Sequence, residues 1–160
     1  MTPQSCHERA LGLLAVRART RWELDQRLRK AAFEPEEVED VLQRLERVGL
    51  IDDRAFAEQF AQHLFDVKRS GSRAVSSGLR AKGVSPELVA AVTKREASDE
   101  ESRAQELANL QALRMQGSDR VKAFARLSSL LMRRGYSPDL ARRSARKALE
   151  VDRFEGSEHF

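Results

Sequence analysis

Between residues 36 and 48, apolar side chains fall at Val38, Val41, Leu42, Leu45 and Val48. This three-and-four spacing lines one face of an α-helix. Glu36, Glu37, Glu39 and Asp40 crowd its first turns and Arg44 and Arg47 its last, so charge complements the helix dipole at both ends. Gly49 then stands where a left-handed cap is needed, with Leu50 as the apolar clasp. Other helix starts are equally legible. Thr20-Arg21-Trp22-Glu23 and Ser98-Asp99-Glu100-Glu101 have the form of capping boxes. Ser85-Pro86-Glu87 and Ser137-Pro138-Asp139 place a serine cap before a first-turn proline and an acid. Asp52 or Asp53 can cap a helix carrying Phe56, Phe60, Leu64 and Val67. Alternating β-branched runs and Asn-Gly or Asp-Gly turns are missing, so the chain reads as all-α.

The prolines expose a repeat. Pro35, Pro86 and Pro138 are 51 and 52 residues apart. Aligned on them, Leu28, Leu79 and Leu131 coincide, as do Leu24, Val75 and Leu127, then Phe33, Val84 and Tyr136, and Val38, Val89 and Ala141. The position three before each proline is Ala32, Gly83 and Gly135. Such self-similarity marks tandem structural units. The expected modules are 8–52, 53–96 and 97–150, with 1–7 and 151–160 as tails. Each reads as three helices: 8–17, 20–31 and 35–48; 53–68, 72–82 and 86–96; 99–115, 119–134 and 138–150. The short break between second and third helices resembles a helix-turn-helix. Modules this small are marginal alone and should share apolar surface, giving an elongated, curved solenoid. Phe65, on the opposite side of its helix from Phe56, sits between modules or meets a partner.

Composition narrows the function. The 160 residues carry 29 basic and 25 acidic groups, a net charge of +4. Residues 1–53 sum to −2, 54–96 to +4 and 97–160 to +2, so the middle and rear are the basic parts. No apolar run reaches the ~18 residues of a membrane span, and no signal peptide is visible, which makes the cytoplasm the expected compartment. Cys6, the single cysteine, excludes an internal disulfide. There is no glycine-rich phosphate loop, nucleophile elbow or His-Glu-x-x-His motif. His63 is expected at a core edge or on the surface, and Cys6-His7 lies in a terminus too frayed to organise a nucleophile. Asp52-Asp53 and Asp99-Glu100-Glu101 stand at helix starts, where carboxylates are favoured without any metal. An enzyme is not expected, nor a cofactor.

The cations are more informative. Lys68, Arg69, Arg73, Arg80 and Lys82 cluster in the second module, with Arg73 and Arg80 two turns apart on one face. Arg133 and Arg134 precede Gly135 in the third, and Arg142, Arg143, Arg146 and Lys147 line its last helix as two pairs spaced by four. Either these form a solvated face, or they meet acidic protein loops or nucleic-acid phosphate. Trp22, early in its helix, is expected to pack over the first module's core or staple the helix entry, the alternative being to stack on a base or anchor a protein partner.

The segment Gly49-Leu50-Ile51-Asp52-Asp53-Arg54-Ala55-Phe56-Ala57 resembles a hallmark of the RecX family, bacterial regulators of the RecA recombinase. So do the basic pair that follows, Gly71, Val75, Leu79 and Lys82-Gly83-Val84; the resemblance spans roughly residues 8–150. It departs in the first module, with Ala32-Phe33 where the others have glycine, and in a short basic stretch at Lys68-Arg69. The resemblance implies three tandem three-helix repeats and a monomeric, non-enzymatic protein lying along the groove of the RecA–DNA filament. There it inhibits ATP hydrolysis and strand exchange. The alternative is a protein that binds single- or double-stranded DNA directly through helix-turn-helix-like units.

Overall fold

A computed structural model describes residues 2–155, with side chains from 2 to 150. Among the described residues there are nine α-helices and no strand. They are α1 (Cys6–Val16), α2 (Arg21–Lys30), α3 (Pro35–Arg47), α4 (Asp53–Asp66), α5 (Ser72–Ala81), α6 (Pro86–Arg95), α7 (Glu100–Ala112), α8 (Arg120–Arg133) and α9 (Pro138–Glu155). Single 3-10 turns, Ala97–Asp99 and Leu113–Met115, flank α7. The chain divides into two compact units, one formed by 1–60 and 78–90, the other by 61–77 and 91–160.

In the first unit α1, α2 and α3 pack together around Cys6, Ala10, Leu24, Leu28, Val38, Val41, Leu42, Leu45 and Ile51. The α3 stripe is the one its spacing predicts, except that Val48 is exposed beyond the helix end. Two expectations need correction here. Cys6 is not in a frayed tail: Ser5 and Glu8 form a reciprocal capping box, α1 begins at Cys6, and its thiol is buried. The clasp after Gly49, which takes φ +80°, is the buried Ile51, whereas Leu50 is half exposed. Asp52 caps α4 by accepting from the Ala55 amide at 3.0 Å, while Asp53 accepts from the Arg21 amide at 2.9 Å.

The Thr20 capping box does more than start α2. Its hydroxyl accepts from the Glu23 amide at 3.1 Å and donates to the Lys82 carbonyl at 2.6 Å. That anchors the Lys82-Gly83 turn against α2, and Trp22 packs its side chain onto Gly83 rather than over the first core. A Cβ at Gly83 would meet the indole, and φ there is +76°. The equivalent positions Ala32 and Gly135 have φ of +69° and +99°, so the repeat imposes one left-handed residue at each turn. Only in the first is a side chain tolerated in that strained region.

In the second unit α7, α8 and α9 enclose Leu107, Leu127, Leu131, Tyr136 and Leu140 with six alanines: Ala104, Ala108, Ala112, Ala141, Ala145 and Ala148. Small side chains on α7 and α9 let the two helices approach closely. The Ser98 capping box does not form; residues 97–99 make the 3-10 turn, and no side chain caps α7. Glu100 accepts from the Ser72 amide at 2.8 Å and its hydroxyl at 2.7 Å. Ser137 and Ser85 cap as predicted, through the amides of Leu140 and Leu88.

Candidate functional site

The predicted basic cluster of the second module divides between the units: Lys68, Arg69 and Arg73 belong to one, Arg80 and Lys82 to the other. Arg80 is exposed on the last turn of α5. Lys82 is committed internally: its ammonium lies 3.9 Å from a Glu23 carboxylate oxygen and 5.9 Å from the rings of both Phe56 and Phe60. Burial pushes Glu23 up, yet Arg17, the Thr20 amide and Lys82 together outweigh it and hold the carboxyl below its ordinary value. Lys82 therefore spends its charge on the fold.

Phe65 requires correction. It is 1% exposed, beneath the Arg103 guanidinium at 4.2 Å, and offers nothing to a partner. Its second apolar side is a core contact, because Arg103 itself is buried, pairing with Glu96 at 3.5 Å and donating to the Glu96 carbonyl at 3.2 Å. Arg103 was not singled out from the sequence, since its neighbours on α7 alternate acids and small residues without a stripe.

At Gly71 the backbone runs hard against that of 134–136. The Gly71 amide donates to the Arg134 carbonyl at 2.7 Å, and the Arg73 amide to the Gly135 carbonyl at 3.2 Å. Arg134 returns a guanidinium donor to the Lys68 carbonyl at 2.6 Å, and the Tyr136 hydroxyl donates to the Arg69 carbonyl at 2.6 Å. Desolvation raises Tyr136 to about 12. These contacts hold Arg69 at φ +50° and gather Lys68, Arg69 and Arg134, which the sequence placed in different modules.

Arg142, Arg143, Arg146 and Lys147 are exposed on α9, as their spacing predicts. Arg142 lies 3.8 Å from Asp139, Arg143 pairs with Glu101 at 3.2 Å, and Arg146 lies 5.9 Å over the Phe124 ring. Such exposed pairs are weak, so the arginines remain open to exchange partners. Arg143 and Lys147 border a cleft of about 220 Å³ shared with Glu101, Gln105 and Ser144. Arg133 borders another of about 370 Å³ with Met115, Arg126 and Ser129. Lys122 and Arg126, not singled out from the sequence, lie on the Arg133 face of α8 at spacings of four and seven. The signal was available: α8 carries basic residues and no acid. No group of three or more metal-ligating side chains occurs among the described residues. Nor is any helix among them long and apolar enough to cross a membrane.

Two family models match this chain: the first three-helix domain of RecX over residues 6–45 and the second over 52–92. The chain belongs to the RecX family. A Streptomyces coelicolor protein named "Regulatory protein RecX" is 39% identical over 150 residues, covering 93% of this chain and 79% of that protein. Its namesake from Mycolicibacterium smegmatis is 40% identical over 136 residues, covering 82% and 72%. One from Thermobifida fusca is 34% identical over 158 residues, covering 96% and 85%. The fold is likewise that of RecX crystal structures. The Lactobacillus salivarius protein superposes with a TM-score of 0.78 at 19% identity, covering 91% of this chain and 95% of that one. A second RecX structure gives 0.75 at 21% identity, covering 84% and 68%. The all-α fold expected from helical spacing is thus the fold of RecX regulatory proteins, a family not known for catalysis.

Proposed function

We propose that this RecX-family chain lies along the helical groove of the RecA–DNA filament and inhibits ATP hydrolysis and strand exchange without catalysing a reaction of its own. Membership in a family of regulatory proteins across nearly the whole chain is the observation that carries this reading. The exposed arginines of α9 support it, since they are held only by weak surface pairs and can turn to acidic groups of a partner. Arg73, Arg80, Arg133 and Lys147 are further contact residues, exposed on α5, α8 and α9. The module bounds 8–52, 53–96 and 97–150 belong to the same proposal: a repeated protein meets a repeated filament, and modest contacts add up by avidity. The chain acts as a monomer in the cytoplasm and needs no cofactor. Titrating the protein into DNA-dependent ATP hydrolysis by the recombinase tests the reading. Inhibition below equimolar protein is expected, and unaltered hydrolysis at equimolar protein overturns it.

A second reading, direct DNA binding, is favoured by one observation: Lys122, Arg126 and Arg133 line an acid-free helix α8. Were bare DNA the main partner, log affinity would fall with log salt by roughly 0.7–0.9 per phosphate contacted. Weak, steeply salt-dependent binding to bare DNA beside firm binding to coated filaments rejects it.

A further inference from the structure

One surface of the second unit is built unlike the rest. Residues 67–69, the end of α7 with the turn that follows it, and Arg134 line a groove of about 430 Å³. Three of its four apolar members are presented to solvent, Val67 at 61% exposed, Leu110 at 44% and Leu113 at 56%, while Leu107 is buried beneath them. Exposed large apolar side chains scattered singly are ordinary, but three lining one concavity mark a contact site. Four cations surround them and no acid lines the groove. Glu106 stands nearby with its carboxylate 3.8 Å from Arg69, an exposed pair that an incoming carboxylate can replace.

The groove is held open rather than improvised. Arg134 is tethered to the Lys68 carbonyl, and the Tyr136 hydroxyl fixes the Arg69 carbonyl, so the 67–69 wall is set by two hydrogen bonds of 2.6 Å. Arg134 spends one guanidinium donor on that tether, out of the five that an arginine carries. Gln111 adds an amide able both to donate to and to accept from a peptide backbone.

We infer that this groove binds an acidic peptide segment carrying spaced apolar side chains. Carboxylates meet Lys68, Arg69, Arg114 and Arg134, and apolar side chains cover Val67, Leu110 and Leu113. Nucleic acid fits less well on two counts. A phosphodiester backbone leaves the apolar members wet, and the groove offers no aromatic ring on which a base could stack. The inference goes beyond the recombinase reading, because it assigns a ligand chemistry to a place that reading does not need.

The probe is a short fluorescein-labelled peptide of glutamates with spaced leucines, read by anisotropy against the full chain at physiological salt. Saturable binding is expected, weakened about tenfold or more in Arg114→Glu and likewise in Leu113→Ser. Both residues are exposed, so unchanged far-UV dichroism and melting should accompany the loss. A glutamate peptide lacking leucines should bind about tenfold more weakly than the probe. The inference is overturned if the probe does not bind, if neither substitution alters its affinity, or if the all-glutamate peptide binds equally well. It is overturned equally if an oligothymidylate of the same length binds more tightly and loses that affinity in Arg114→Glu, which would make the groove a phosphate site.

Discussion

Replacing Gly71 with alanine tests the packing that positions the basic groups. A Cβ there would fall on the Gly135 carbonyl and come within 2.8 Å of the Tyr136 nitrogen. All three nearest atoms are backbone, so no flexible side chain can move aside. Relief requires separating 69–73 from 134–136, which breaks the Gly71–Arg134 and Arg73–Gly135 backbone hydrogen bonds and strains the Tyr136 contact to Arg69. Each hydrogen bond contributes about 1 kcal/mol. Overpacking adds about 1–3 kcal/mol. A total loss of about 3–5 kcal/mol is a large fraction of the roughly 5–15 kcal/mol typical of a domain. Equilibrium unfolding in urea, followed by far-UV dichroism, reads it directly. Gly12→Ala is the internal control: Gly12 lies within α1 with nothing within 4 Å of an added Cβ. That substitution should stabilise by about 0.5–1 kcal/mol through helix propensity alone. A loss below about 1 kcal/mol for Gly71→Ala refutes the close approach.

Three more outcomes follow from the same geometry. Tyr136 is the sole tyrosine, so tyrosinate absorbance reports it alone; native ionisation should centre near 12. Because the folded value lies above the unfolded one of 10, its contribution is present below pH 10 and lost as pH rises from 10 towards 12; a native midpoint near 10 contradicts its burial. Ala32→Gly should stabilise by about 0.5–1 kcal/mol, since relief of left-handed strain exceeds the entropy that glycine adds to the unfolded chain; destabilisation in a urea melt would show the strain is absent. Arg142→Glu combined with Arg146→Glu should leave helicity intact and stability within about 1 kcal/mol, given their weak exposed contacts. The same variant should lose recombinase inhibition, and undiminished inhibition rejects α9 as a contact surface.

Most of the helices were legible because their start and stop chemistry is local. Thr20 with Glu23, Ser85, Ser137 and Asp52 each bond the amides their sequence positions suggest. The Ser98 box did not form: residues 97–99 make a 3-10 turn, its acid Glu101 meets Arg143, and the neighbouring Glu100 bonds Ser72, both partners far away in the chain. Phe65 failed for a similar reason: an apolar side chain away from its own helix stripe looks available until Arg103 is known to cover it. The repeat register read Ala32, Gly83 and Gly135 as equivalent, and all three share the left-handed conformation. It could not say that Thr20 and Trp22 would clasp the Lys82-Gly83 turn, because that contact joins residues 62 apart. Of the cations, spacing placed the α9 group on the surface correctly. The same reasoning could not distinguish Lys82, spent on Glu23 and two rings, from Arg80, which is exposed. The Val67, Leu110 and Leu113 groove carries no sequence signature, since a connecting segment and the end of α7 form it together.

Co-sedimentation of the protein with single-stranded DNA at physiological salt, once bare and once coated with recombinase in its filament form, weighs the central claim most directly. The account predicts that the protein pellets with the coated filament and stays largely in the supernatant with bare DNA. Equal recovery with both, or a preference for bare DNA, would contradict it.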